Sequence, residues 1–189
     1  MTRLDLAAGA RAPRDAVVCL GFFDGVHLGH ARLVAQAREV AQAEGLLLCV
    51  HTFAQMPARV LSPGAQIREL TPLPEKAALL AALGVDLLAV SPFDERMRHL
   101  RAEAFFREIL MEALRARHIV CGFHHRFGER GEADTARLSA LCAANGLGLS
   151  VIAPVTLPDG ELVSSSAIRQ LLDAGDLARA RAMLGRDSI

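Results

Sequence analysis

Apolar residues along this chain fall into short continuous runs that alternate with stretches of helical spacing. Ala16 to Leu20 is one such run, and Leu33, Ala37, Val40 and Ala41 recur at helical intervals after it, which predicts a strand followed by a helix. Leu46 to Phe53 is again continuous and suits a buried parallel strand. The next stretch, Ala54 to Leu73, carries Pro57, Pro63, Gly64 and Pro72, so a long loop is expected. A helix follows from about Pro72 to Leu83, with Thr71 as its cap, Pro74 in its first turn and Gly84 closing it. Asp86 to Ser91 reads as a third strand. Between Glu103 and Ala116, Phe105, Phe106, Ile109, Leu110, Ala113 and Leu114 line up opposite Arg107, Glu108, Glu112 and Arg115, the pattern of an amphipathic helix packed on a core. His118 to Gly122 makes a fourth strand, Glu132 to Asn145 a helix ended by Gly146, Leu147 to Pro154 a fifth strand, and Pro158-Asp159-Gly160 a turn. Strands alternating with helices predict an α/β fold, a parallel sheet covered on both faces.

Length and composition narrow this to a globular protein. The 189 residues suit one domain with a substantial core, and 52% hydrophobic against 22% charged residues speaks against disorder. With 21 acidic and 21 basic residues the formal net charge is zero, so neither a nucleic acid nor an anionic membrane is expected as a partner. Cys19, Cys49, Cys121 and Cys142 lie far apart without a Cys-x-x-Cys, which predicts reduced thiols and not a disulfide or zinc framework. Met1 to Arg14 has no signal-peptide core, and no run approaches the ~18 apolar residues of a membrane span, so a cytoplasmic location is expected.

Candidate chemistry centres on the ten residues from Gly21 to His30, placed where the first strand turns into the first helix. A helix start offers free N–H groups and a positive dipole end, and Gly21, Gly25 and Gly29 let a phosphate approach the main chain. His27 and His30 are one helical turn apart, so both imidazoles can reach the same oxygens. A single histidine here could equally be a helix-start residue satisfied by backbone. Ser164-Ser165-Ser166-Ala167-Ile168-Arg169 opens another helix, with Ile168, Leu171 and Leu172 toward the core. Its hydroxyls and the Arg169 fork could hold a phosphate, or serve as a plain serine cap beside a solvated arginine. No Gly-x-x-x-x-Gly-Lys-Ser/Thr loop is possible, because Lys76 is the only lysine. Ligands of such sheets gather at the carboxyl ends of the strands, so Gly21 to His30, Thr52 to Arg59, Gly122 to Gly128 and the serine-arginine stretch should face one crevice. His124 and His125, with His118 upstream, could form a metal site, but adjacent histidines in a strand or turn point apart, and no metal ligands are assigned.

His27-Leu28-Gly29-His30 resembles the His-x-Gly-His signature of the nucleotidyltransferase superfamily, whose sheet is Rossmann-like. The longer string Phe23-Asp24-Gly25-Val26-His27-Leu28-Gly29-His30 is similar to the FMN adenylyltransferase module of bacterial FAD synthetases, which usually carry a riboflavin kinase barrel downstream. Ser164-Ser165-Ser166-Ala167-Ile168-Arg169 resembles that module's Ser-Ser-Thr-x-Ile-Arg motif, with Ser166 in the threonine place. Thr52-Phe53, Glu75-Lys76, Gly84-Val85-Asp86, Pro92-Phe93-Asp94, Arg126-Phe127-Gly128 and Pro154-Val155 resemble further family segments. The resemblance implies an adenylyltransferase that moves AMP from ATP, with Mg²⁺, to FMN, giving FAD and pyrophosphate. It implies a single domain over 1–189 with no riboflavin kinase activity.

By the same resemblance His27, His30 and Arg169 are catalytic, and Gly21, Phe22, Phe23, Asp24, Gly29, Ser164, Ser165 and Ser166 contact ATP. Asp24 is expected to orient the turn. Phe53, His124, His125, Arg126 and Phe127 fall on the flavin side. Two departures touch that side: Ala54-Gln55-Met56-Pro57 stands where the family has Glu-Pro-His-Pro, and His124-His125 where it has Asp-Phe. Without Trp or Tyr, flavin stacking falls to Phe or His. These departures leave two alternatives open, a non-catalytic nucleotide- or flavin-binding paralogue and a nucleotidyltransferase for another phosphorylated acceptor.

Overall fold

All five residues of β2 (Ala16–Leu20) are buried, so this strand needs cover on both faces and partners on both edges. It has them in the computed structural model, which describes residues 1–61, 64 and 67–188. β3 (Leu47–Phe53) pairs with one edge and β5 (Ala116–Gly122) with the other, both parallel. With β1 (Thr2–Asp5), β4 (Leu87–Ser91) and β6 (Gly148–Ile152) the sheet has six parallel strands in the order β1-β4-β3-β2-β5-β6. Strand order runs outward from β2 in one direction through β3 and β4, and in the other through β5 and β6. The switch point therefore lies between β2 and β5, where a crevice opens at the carboxyl ends.

Alternation along β2 sorts the two cores. Val17 and Cys19 meet Leu33, Val34 and Ala37 of α1 (Leu28–Glu44) and Leu80 of α3 (Leu73–Ala82). Val18 and Leu20 meet the opposite layer, with Phe105, Phe106, Leu110 and Leu114 beside Leu138 of α6 (Thr135–Ala144). Truncating one of these fully buried leucines would cost ~2–5 kcal/mol, because the close-packed surroundings relax only partly. A third cluster, built on Ile168 and Met183, joins α7 (Ser165–Asp173) to α8 (Leu177–Leu184). All four cysteines are free and buried, and burial pushes the Cys49 and Cys121 thiols up to about 12.

Several local expectations change. The proline-rich stretch after β3 contains a short helix, α2 (Pro57–Leu61), while Pro63 lies outside the described residues. Pro72, not Thr71, occupies the cap of α3; the Thr71 hydroxyl is drawn away to accept from Gly25 N at 2.9 Å. The amphipathic segment starts as α5 (Ala102–Ala104) and continues as a π-helix over Phe105–Ala113, with Leu114 N donating to Ile109 O five residues back. Arg115, at φ +52°, then turns the chain so that Ala116 already belongs to β5. β1, α4 (Glu95–Arg98) and α8 carry too weak an apolar pattern to have been anticipated.

Candidate active site

The turn from β2 into α1 is strained and held from several sides. Phe23 and Val26 have φ of +57° and +40°, a region that costs an L-residue ~1–3 kcal/mol, so partners must impose it. Thr52 Oγ1 donates to Phe22 O at 2.8 Å, Gly25 N donates to Thr71, and Arg186 Nη1 donates to Gly25 O at 2.7 Å. Asp24, 3% exposed, lies at the centre. Its Oδ1 accepts from Leu70 N at 2.9 Å and Thr71 N at 3.1 Å, and its Oδ2 accepts from Arg169 Nη2. Asp24 is thus the brace of the turn. Gly29 has a steric reason as well, since a Cβ there would meet the His27 ring at 3.1 Å.

That bare position lets the two imidazoles stack. His27 and His30 lie 3.7 Å apart at 19°, and Phe23 packs on His30 at 4.9 Å. Both Nδ1 atoms are buried without a hydrogen-bond partner among the described residues. Burial, aided by the Arg186 guanidinium, lowers His27 to about 4. Burial together with the charges of His27 and Lys76 holds His30 well below its usual range. At neutral pH the pair is uncharged, and each ring has one donor and one acceptor. It stands over the start of α1, where free N–H groups already favour an anion.

α7 closes the hollow beside His30. Ser164 Oγ caps it by accepting from Ala167 N at 3.1 Å, and Ser165 Oγ donates to Asp24 O at 2.8 Å, tying the helix to the turn. Ser165, Ser166, Arg169 and His30 border one hollow together with Phe22 and Asp24. Arg169 also donates from Nε to Arg68 O at 2.7 Å, while its Nη1 donates to none of the described residues.

On the other side of Phe22 a cavity of about 300 Å³ opens along the switch point, lined by Phe53, Phe93, Phe105, Phe127, His51 and His125. His51 is buried and bonded through Nε2 to Ser91 Oγ at 2.9 Å, and burial lowers it to about 3. His125 stacks on Phe127 at 5.8 Å and 15°, is lowered by burial to about 4, and leaves Nε2 without a partner among the described residues. Arg126 stands at the cavity rim.

Two expected neighbours are separated. His124 does not join His125; it packs at a tilt against its neighbour Phe123 and lines a different hollow with His27, His30, Gly29 and Ser164. Phe23 is wholly buried, so it supports His30 from below. Among the described residues no three His, Cys, Asp or Glu side chains gather to hold a metal ion. His51, Ser91, Thr71, Lys76 and Arg186 were not anticipated as site residues. For His51 and Ser91 a signal was present, a polar residue set inside a buried apolar run.

A parallel sheet whose central strand delivers a paired-histidine helix start to its switch point defines an α/β protein of the nucleotidyltransferase-like class. Residues 10–167 match the family model for FAD synthetase, and the chain belongs to that family. It is 38% identical over 172 residues to the bifunctional riboflavin kinase/FMN adenylyltransferase of Listeria monocytogenes, covering 90% of this chain and 54% of that protein. The protein of the same name from Bacillus subtilis is 33% identical with the same coverage. The chain thus spans about half the length of these relatives. Among solved structures, one named as a macrolide-efflux protein from Streptococcus pneumoniae superposes with a TM-score of 0.86 at 28% identity, covering 98% of this chain and 60% of that one. Pantothenate synthetase from Thermus thermophilus shares the fold, with a TM-score of 0.54 at 18% identity over 98% of this chain and 81% of that one.

Proposed function

We propose that this chain is an FMN adenylyltransferase, moving the adenylyl group of ATP to FMN and releasing pyrophosphate. The observation that carries the reading is the stacked, neutral His27–His30 pair at the start of α1, with both Nδ1 atoms unpartnered among the described residues. A phosphate oxygen of FMN attacks the α-phosphorus of ATP in line; the new P–O bond forms as the bond to the β-phosphate oxygen breaks. No protein nucleophile is required, since positioning and charge stabilisation carry such transfers. The imidazoles donate to oxygens of the transferring phosphate. Ser166, the helix start of α7 and Arg169 Nη1 hold the leaving pyrophosphate. Mg²⁺ would neutralise the triphosphate, and it would arrive with ATP, because the oxygens of Asp24 are committed to Leu70 N, Thr71 N and Arg169.

The flavin ring packs into the aromatic cavity against Phe53, Phe93 and Phe127, with Arg126 near its phosphate. In this reading residues 1–189 act as one adenylyltransferase domain, kinase chemistry is not assigned to it, and a cytoplasmic setting fits the free thiols. The test is to incubate the protein with ATP, Mg²⁺ and FMN and to follow FAD and pyrophosphate, beside a panel of other phosphorylated acceptors. FAD formation upholds the reading. Pyrophosphate release with a different acceptor would replace FMN, and ATP binding without any transfer would leave a nucleotide-binding paralogue.

A further inference from the structure

One buried charge has no task in the chemistry above. Lys76, the only lysine of the chain, sits in the first part of α3 with its side chain 1% exposed. Its ammonium makes no hydrogen bond to any described residue. Glu69 Oε1 is 3.9 Å away, too far for a hydrogen bond, and Nζ lies 3.6 Å from the centroid of the Phe22 ring. An unbonded ammonium inside a protein is expensive, and methionine would fill similar space without that cost. Its position gives it a use. Phe22 borders both the phosphate hollow and the aromatic cavity, whereas Lys76 lines neither, so the ammonium meets the ring from the protein side. Its charge also presses on His30. The acidic groups that face it are Glu69, on the segment ahead of α3, and Asp24 of the turn.

We propose that Lys76 is a positioning residue for adenylyl transfer: through a cation–π contact it fixes the Phe22 ring between the two substrates, and it places a positive charge behind His30 that the triphosphate answers. The proposal rests on the adenylyltransferase reading above. Its physical logic is that of an undercompensated charge. Glu69 and Asp24 neutralise the ammonium only at a distance, and burial lowers Lys76 to about 8. When ATP brings further negative charge to the hollow, the protonated form gains, and its proton is held more tightly.

A single lysine gives a single side-chain signal in protein labelled with ¹³C-lysine, so its titration can be followed by NMR with and without ATP and Mg²⁺. The expected midpoint is near 8 without nucleotide, moving upward when ATP is added. In parallel, Lys76→Met should keep the fold, lower kcat for FAD formation about tenfold or more, raise KM for ATP in step with the upward shift seen in the wild-type titration, and remove the fall in rate expected above pH 8 as the wild-type lysine loses its proton. Lys76→Arg should recover part of the rate. A lysine signal indifferent to ATP, or a methionine variant with full activity and an unchanged pH profile, would show that Lys76 only fills the core. If Lys76→Met fails to fold, the wild-type titration decides alone. A wild type whose lysine responds to ATP but which makes no FAD upholds the lysine's coupling to nucleotide and counts against FMN as acceptor.

Discussion

The two sides of Phe22 are built on opposite plans. On the side of His27 and His30 one short turn and the start of α7 are locked by hydrogen bonds through Asp24, Thr71, Thr52, Ser165 and Arg186. On the side of His125 an aromatic cavity is assembled from β3, the segments after β4 and β5, and the π-helix, and its polar atoms are few. The first is specified by bonds that admit one geometry. The second is specified by volume and shape, which tolerate exchange. His125 is the histidine that lines the cavity, where shape alone can accommodate it; His124 lines the hollow beside His27 and His30 instead.

Removing the brace should have the largest effect. Asp24→Ala leaves two backbone N–H groups and Arg169 unpaired in a buried place, and a loss of ~3–5 kcal/mol in denaturant unfolding is expected, with ATP binding lost as well. Next comes acid. His27 titrates near 4 when folded and near its ordinary 6.5 when unfolded, so the unfolded chain binds the proton first. Stability is therefore full above pH 6.5 and falls as pH drops toward 4, by about 3 kcal/mol for His27 alone, with His51 and His125 adding in the same direction. Unfolding midpoints measured across that window would check the sign.

A similar magnitude, but in rate, is expected for His30→Ala. It should lower kcat by about a hundredfold, or ~3 kcal/mol, while ATP affinity changes much less. Equal losses in both would make His30 a binding group only. The smallest effect should fall on the tolerant side. His125→Phe removes an unsatisfied Nε2 from the aromatic cavity and should stabilise the protein by ~1 kcal/mol. If the flavin bonds to Nε2, FMN binding in a fluorescence titration weakens up to about tenfold; if it only stacks, affinity holds or improves.

The same contrast governs what could be read from residues alone. Gly21 to His30 is contiguous, with its glycines and histidines in fixed spacing, so its place at the turn from β2 into α1 was legible. The serine start of α7 was legible for the same reason. The aromatic cavity joins Phe53, Phe93, Phe105 and Phe127 from distant segments, and no local pattern announces such a meeting. Thr71 suited a helix cap by local rules, yet the strained turn needed its hydroxyl more. The π-helix left a faint trace: apolar pairs at 105/106, 109/110 and 113/114 repeat every four residues, wider than the 3.6 of an α-helix. The other five strands were foreseen from their runs, and exposed β1 was not, because its polar residues leave no apolar run to show.

β2 carries the histidine turn, and it is bonded on both edges and buried on both faces. Its amides should therefore exchange with solvent deuterium only through global unfolding, whereas those of β1 and β6 exchange by fraying at the sheet margins. The histidine turn is thus hung from a strand expected to be among the last to open, so its geometry should persist for as long as the protein remains folded.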